Sequence, residues 1–117
     1  MLTKTAELKS LVWMGSSLED LRAFPEQIRK DAGFQLHRIQ AGLEAVDWKP
    51  MAEIGKGVAE VRLRDRSGNY RVIYLSRTED AVYILHCFNK KCQRTRQQDK
   101  TIASTRYQAV QRFRSMQ

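Results

Sequence analysis

Three strand signals follow one another between Val58 and Phe88 with only turn residues between them. Strands joined this tightly pair as antiparallel neighbours, since a parallel crossover needs a dozen or more residues. Val58-Ala59-Glu60-Val61-Arg62-Leu63-Arg64 alternates strictly. The period of two puts Ala59, Val61 and Leu63 on one face and Glu60, Arg62 and Arg64 on the other. Asp65-Arg66-Ser67-Gly68-Asn69 is turn chemistry and predicts a hairpin. Tyr70-Arg71-Val72-Ile73-Tyr74-Leu75 is β-branched and aromatic, apolar on both faces apart from Arg71, which suits a central strand. Thr78-Glu79-Asp80 turns again into Ala81-Val82-Tyr83-Ile84-Leu85-His86-Cys87-Phe88.

The rest of the chain supplies covering helices. Leu11-Val12-Trp13 reads as a first strand. Ser16 and Ser17, each followed three residues later by Glu19 or Asp20, form a capping-box pattern. Leu18, Leu21, Phe24, Ile28, Ala32, Leu36, Ile39 and Leu43 then recur at steps of three and four, on one helical face. Pro25 interrupts this stretch and is expected at the first position of a second helix, which Gly42 or its polar successors end. Trp48-Lys49-Pro50-Met51 reads as a break. A second capping box, Thr95-Arg96-Gln97-Gln98, opens a helix through Ile102, Ala103, Tyr107, Val110 and Phe113. The predicted order is β-α-α-β-β-β-α. It makes an α+β fold, with two helices packed on an antiparallel sheet of three to four strands and a helix at the end.

At 117 residues the chain, 1–117, is expected to be a single domain. Its composition, 42% hydrophobic and 29% charged, is that of a globular protein and excludes a collagen-like chain or an acidic disordered one. No apolar run approaches the roughly 18 to 20 residues of a membrane helix, and the start shows no secretory signal. A cytoplasmic protein without membrane attachment is the expectation. Two cysteines make no disulfide scaffold, and His37 and His86 stand at unsuitable spacing for a metal site. No metal or cofactor is therefore expected. Cys92, among Lys90, Lys91 and Arg94, has the surroundings that lower a thiol pKa.

The net charge of +8 is unevenly placed. Residues 1–53 hold seven basic and eight acidic side chains, and residues 54–117 hold 14 basic and five acidic. A basic half on a neutral half suggests a polyanion-binding face on a packing scaffold. A merely solubilising surface is the plainer alternative. The alternation places Arg62 and Arg64 together, with Arg71 on the neighbouring strand and Lys90 and Lys91 at the end of the third. Clustered guanidinium groups repel one another, and a phosphate bound bidentately relieves that repulsion. Tyr70, Tyr74, Tyr83, His86 and Phe88 interleave with these cations and offer surfaces on which unpaired bases stack. Each arginine alone also fits an ordinary surface ion pair, and His86 an ordinary core histidine.

Glu60-Val61-Arg62-Leu63-Arg64, Tyr70-Arg71-Val72-Ile73-Tyr74 and Val82-Tyr83-Ile84-Leu85-His86-Cys87-Phe88-Asn89-Lys90-Lys91 resemble the three core strands of RelE/ParE-superfamily toxins. With Trp13-Met14-Gly15-Ser16-Ser17 and the Trp48-Lys49-Pro50-Met51 loop, they are similar to the HigB-like, phage-related branch. The likeness spans roughly residues 10–110. It implies a toxin of a type II toxin–antitoxin module that cuts translated mRNA at the ribosome without a metal. It also implies a helix-turn-helix antitoxin as partner. In that chemistry the RNA 2′-hydroxyl attacks the adjacent phosphate, which needs a base, an acid and cations for the charge that develops. Arg62, Arg71 and Lys91 fit the charge-stabilising role, and His86 is the titrating candidate. Arg64, Tyr74, Phe88, Lys90 and Arg94 fit RNA binding. Glu60 is a second candidate base, or the ion-pair partner of an arginine. The stretch where RelE carries a tyrosine is Arg96-Gln97-Gln98, which leaves the general acid unassigned. Two other functions compete: a ParE-like gyrase inhibitor on the same fold, and a non-catalytic nucleic-acid-binding module.

Overall fold

A computed structural model describes residues 8–76, 79–91 and 93–116. The expectations for Cys92, for Thr78 and for the first residues of the chain lie outside these. The elements are β1 (Ser10–Trp13), α1 (Ser17–Arg22), α2 (Glu26–Gln40), β2 (Trp48–Pro50), β3 (Val58–Asp65), β4 (Gly68–Leu75), β5 (Ala81–Lys90) and α3 (Gln97–Ser115).

One five-stranded sheet runs in the order β1-β5-β4-β3-β2. The three expected core strands are antiparallel neighbours, with β4 at the centre. Two strands correct the sequence reading. β1 pairs with β5 in parallel, Leu11 beside Val82 and Trp13 beside Ile84, so the sheet is mixed. Strand direction of that kind is decided by a partner some 70 residues away, which no local pattern records. The supposed break at Trp48–Pro50 is a short edge strand on β3, with Lys49 opposite Glu60. An edge tolerates Pro50, whose missing N–H leaves no central ladder bond unmade.

Helices cover both faces. Leu21, Phe24, Ile28, Ala32, Leu36 and Ile39 of the α1–α2 segment pack on Ala59, Val61, Leu63, Val72, Val82 and Ile84. Ala103 and Val110 of α3 pack on the opposite face with Ile73, Leu75, Tyr83 and Leu85, joined by Met51 and Ile54 from the loop after β2. Leu43 and Phe113, which continue the helical patterns, are instead more than half exposed.

The helix ends show where local rules yielded to tertiary partners. Neither capping box forms. Ser16 donates to the Asp20 carboxylate at 2.7 Å, and the buried Ser17 hydroxyl donates to the Ile84 carbonyl at 3.1 Å. Thr95 donates to the buried Glu60 carboxylate, a stronger acceptor than anything in its own turn. Pro25 is the N-cap of α2 rather than its first residue. The other end of α2 closes as expected. Gly42, at φ +85°, lets Leu43 N–H reach the Arg38 carbonyl and its own N–H reach that of Ile39. This is the double bond of a Schellman ending.

A β-bulge interrupts the β4–β5 ladder. Ile73 faces His86 but Tyr74 faces Ile84, which leaves Leu85 without a cross-strand partner. Its carbonyl accepts from Arg106 of α3 at 2.9 Å. Because of the extra residue, Tyr83, Leu85, His86, Phe88 and Lys90 all belong to the α3 side.

Gly55 is where a side chain has no room. A Cβ there would stand 2.3 Å from the Tyr107 ring. Gly55→Ala is expected to displace that ring from α3's packing and to lower stability by about 1–3 kcal/mol, as overpacking does. Thermal unfolding measures it, and a melting temperature equal to the parent's would contradict the contact.

Candidate active site

On the α3 side the register aligns three rows across three strands. Arg64, Asn69 and Lys90 form the row nearest the hairpin, Arg62, Arg71 and Phe88 the next, and Glu60, Ile73 and His86 the third. α3 begins only at Gln97 and covers the third row. Arg62 and Arg64 are exposed, Lys90 is half-buried, and Lys91 is exposed. Arg62, Asn69, Arg71, Lys90, Lys91 and Gln93 line an open cavity of about 430 Å³. A smaller one of about 190 Å³, on the β3 side, shares Arg62, Asn69 and Arg71 and adds Asp47 and Arg64.

The hairpin that holds these rows is tied by its own side chains. The Ser67 hydroxyl and N–H both donate to the Asp65 carboxylate, and these bonds hold its pKa below the usual carboxylate range. The tie fixes Arg62 opposite Arg71, although like charges directly across a ladder repel. Arg62 is offset by Asp47 at 3.7 Å, an exposed pair worth little. Arg71, only 8% exposed, forms an ion pair with Glu60, its Nε 3.3 Å from Oε1 with neither atom in a hydrogen bond, and its Nη1 donates to the Tyr70 carbonyl. Burial lowers its pKa most, opposed by Glu60 and assisted by Arg62. Lys90 is lowered in the same way, by burial first and then by Arg71. The face therefore concentrates cations whose repulsion, among the described residues, Asp47 and Glu60 relieve.

The sequence-predicted residues divide clearly. Arg62, Arg64, Arg71, Lys90 and Lys91 come together around the cavities. Phe88 lies beneath them, buried and stacked on His86 with ring centroids 4.9 Å apart. His86 is one row back and 6% exposed. Its Nε2 lies 2.7 Å from the Asp99 carboxylate of α3, and its buried Nδ1 has no hydrogen-bond partner. The ring is not on the cavity wall. Arg94 is exposed but lines neither cavity.

Tyr74 requires correction. It is buried on the α2 face, an odd number of residues from Arg71 and therefore on the other side of the sheet. Burial pushes its phenol up to about 12. Tyr70 shares that face, and Tyr83 lies far along the strand, where its hydroxyl accepts from Arg114. Of the five rings read as interleaved, only His86 and Phe88 adjoin the cations. Cys87 points into the α2 face, where burial pushes its thiol up to about 12 and removes it as a nucleophile.

Sequence reasoning missed Asn69, which counting back from the hairpin would have set between Arg64 and Lys90. It also missed Asp47, Lys49, Thr95 and Asp99, whose contacts are long-range. Among the described residues, no three His, Cys, Asp or Glu side chains come close enough to hold a metal ion. No helix among them is long and apolar enough to cross a membrane. A cavity of about 740 Å³ beside α3 balances Lys56 and Arg114 against Glu79 and Asp80 and so gathers no cation excess.

Residues 19–108 match the profile of the family described as phage-derived protein Gp49-like. No curated protein matches the chain in sequence. Among solved structures, the free state of an arginine-to-alanine double mutant of E. coli toxin RelE is similar. The TM-score is 0.59 at 15% identity, over 88% of this chain and 98% of that one. The likeness is one of fold.

Proposed function

Because the chain belongs to the Gp49-like family of phage-derived proteins, within the RelE superfamily, we propose that it is the toxin of a type II toxin–antitoxin module and an mRNA endoribonuclease. The observation that carries the reading is the cation cluster. Arg62, Arg71, Lys90 and Lys91 share one open cavity, with the Asp47 and Glu60 carboxylates, among the described residues, paired against them. An arrangement so rich in unneutralised charge suits a substrate that brings its own negative charge.

In this reading the RNA backbone lies across the hairpin end of the sheet. Arg64 and Lys90 flank the strand, with Arg94 at its margin. Arg62, Arg71 and Lys91 oppose the charge that grows on the phosphate as the 2′-hydroxyl attacks, leaving a cyclic phosphate and a 5′-hydroxyl. Lys90, its pKa lowered by burial and then by Arg71, stands on the same wall. His86 supports from behind, holding Phe88 by stacking and α3 by Asp99. The substrate is translated mRNA at the ribosome, in the cytoplasm, and the partner is a helix-turn-helix antitoxin, as in the HigB-like branch. A gyrase inhibitor of the same fold would have no use for this cavity.

Induction of the chain alone in a bacterium is expected to stop growth and to create new 5′-hydroxyl ends inside translated messages. Mapping of 5′ ends checks this. Intact messages with broken DNA would transfer the reading to gyrase, and unchanged growth would remove both.

A further inference from the structure

We propose that Glu60 is a positioning residue, a buried carboxylate that aims Arg71 at the bound phosphate and fastens the loop of Lys91 and Arg94 beside it. The proposal rests on the ribonuclease reading of this face. Glu60 is wholly buried. Its Oε1 lies 3.3 Å from Arg71 Nε on β4 and 4.0 Å from Lys49 Nζ on β2. Its Oε2 accepts from the Thr95 hydroxyl at 3.0 Å, 35 residues further along the chain. One carboxylate thus joins the central strand, the edge strand and the approach to α3.

Affinity for a polyanion gives no reason for this group. A negative charge beneath a phosphate site opposes binding, and burying it carries a desolvation penalty of several kcal/mol. Orientation does give a reason. The Glu60 ion pair, though not a hydrogen bond, and the Nη1 bond to the Tyr70 carbonyl flank the Arg71 guanidinium on two sides. Its remaining edge is left for the cavities that Arg71 lines. Thr95 stands between Arg94 and the first turn of α3, so its bond anchors that end of the cationic loop to Glu60. A well-aimed donor contributes most in the transition state, where a misplacement of about 1 Å lowers rates about 100-fold.

The test compares cleavage with binding in the purified full chain. Glu60→Gln keeps the shape and an oxygen for Thr95 but removes the charge. Single-turnover cleavage of RNA is expected to fall about 100-fold. Affinity for a 2′-deoxy oligonucleotide, which cannot be cut, is expected to hold or tighten. Equal losses of cleavage and binding would overturn the proposal. Thr95→Val is expected to lower cleavage about tenfold, with Thr95→Ser restoring it; full activity of the valine variant would refute the loop's part, whether or not Glu60→Gln folds. An NMR measurement stands apart from activity. The NMR order parameter of the Arg71 Nε–H should be high in the parent, with sulfate present or absent, and fall in Glu60→Gln. An order parameter unchanged by the substitution overturns the positioning role. A parent that cuts no RNA refutes the ribonuclease reading alone.

Discussion

Arg71→Ala is expected to lower single-turnover RNA cleavage about 100- to 1,000-fold, the scale for losing one oriented donor to a developing oxyanion, with affinity for uncleavable RNA expected to fall about tenfold at most, as for one phosphate contact. The distinction follows from where the guanidinium stands. Arg62, Arg64, Lys90 and Lys91 still present the strand with charge, but Arg71, which like Arg62 lines both cavities, is the cation on the central strand, buried and flanked by the Glu60 carboxylate and the Tyr70 carbonyl. Only interactions stronger in the transition state than in the ground state accelerate the chemical step. The substitution also removes the nearer of Glu60's two cationic partners, leaving Lys49 at 4.0 Å and the Thr95 hydroxyl, and breaking a buried ion pair lowers stability by up to about 3–5 kcal/mol. The pair Arg71→Ala with Glu60→Gln therefore serves as the folded control, equally inactive but less destabilised. Parallel losses of binding and cleavage would show Arg71 to be a docking contact.

A large loss of stability, independent of the charged face, is expected from Ile84→Ala. Ile84 is fully buried in β5, beside Trp13 of β1 and Tyr74 of β4, beneath the α1–α2 layer. A β5 strand with neighbours on both edges cannot close around the missing carbons, so the loss is about 2–5 kcal/mol. For a chain of this size that lowers the melting temperature by roughly 10–20 °C. Val46→Ala, at a side chain 71% exposed, should stay within about 0.5 kcal/mol. Calorimetry of the two variants decides it, and similar shifts in both would place the core wrongly.

How much of this was legible follows from distance along the chain. The β3 alternation announced its own faces, and Arg62 and Arg64 stand where it put them. The hairpin residues aligned Arg62 with Arg71, since a tight turn fixes register. Tyr74 was misplaced although the same parity would have excluded it from the working face. The parallel direction of β1 and the edge strand at Trp48–Pro50 were out of reach, since each depends on a partner many residues away. Thr95 looked like a helix cap because its true acceptor, Glu60, lies 35 residues back. His86 illustrates a different limit. Its ring type suggested chemistry, but whether it meets solvent or Asp99 is decided by where α3 lands.

The bulge at Leu85 has a consequence for how β5 can vary. Up to Leu85 the odd-numbered residues face α3, and from His86 the even-numbered ones do, so the strand changes phase midway. The first phase serves packing; the second delivers Phe88 and Lys90 to the cavity and sends Cys87 into the opposite core. Pairing the strand at its present length without the bulge would keep a single phase and exchange those destinations. A buried thiol would then meet the cationic face, and a lysine would meet the apolar layer. The bulge, more than any side chain within it, sets which half of the strand's residues reaches the cavity.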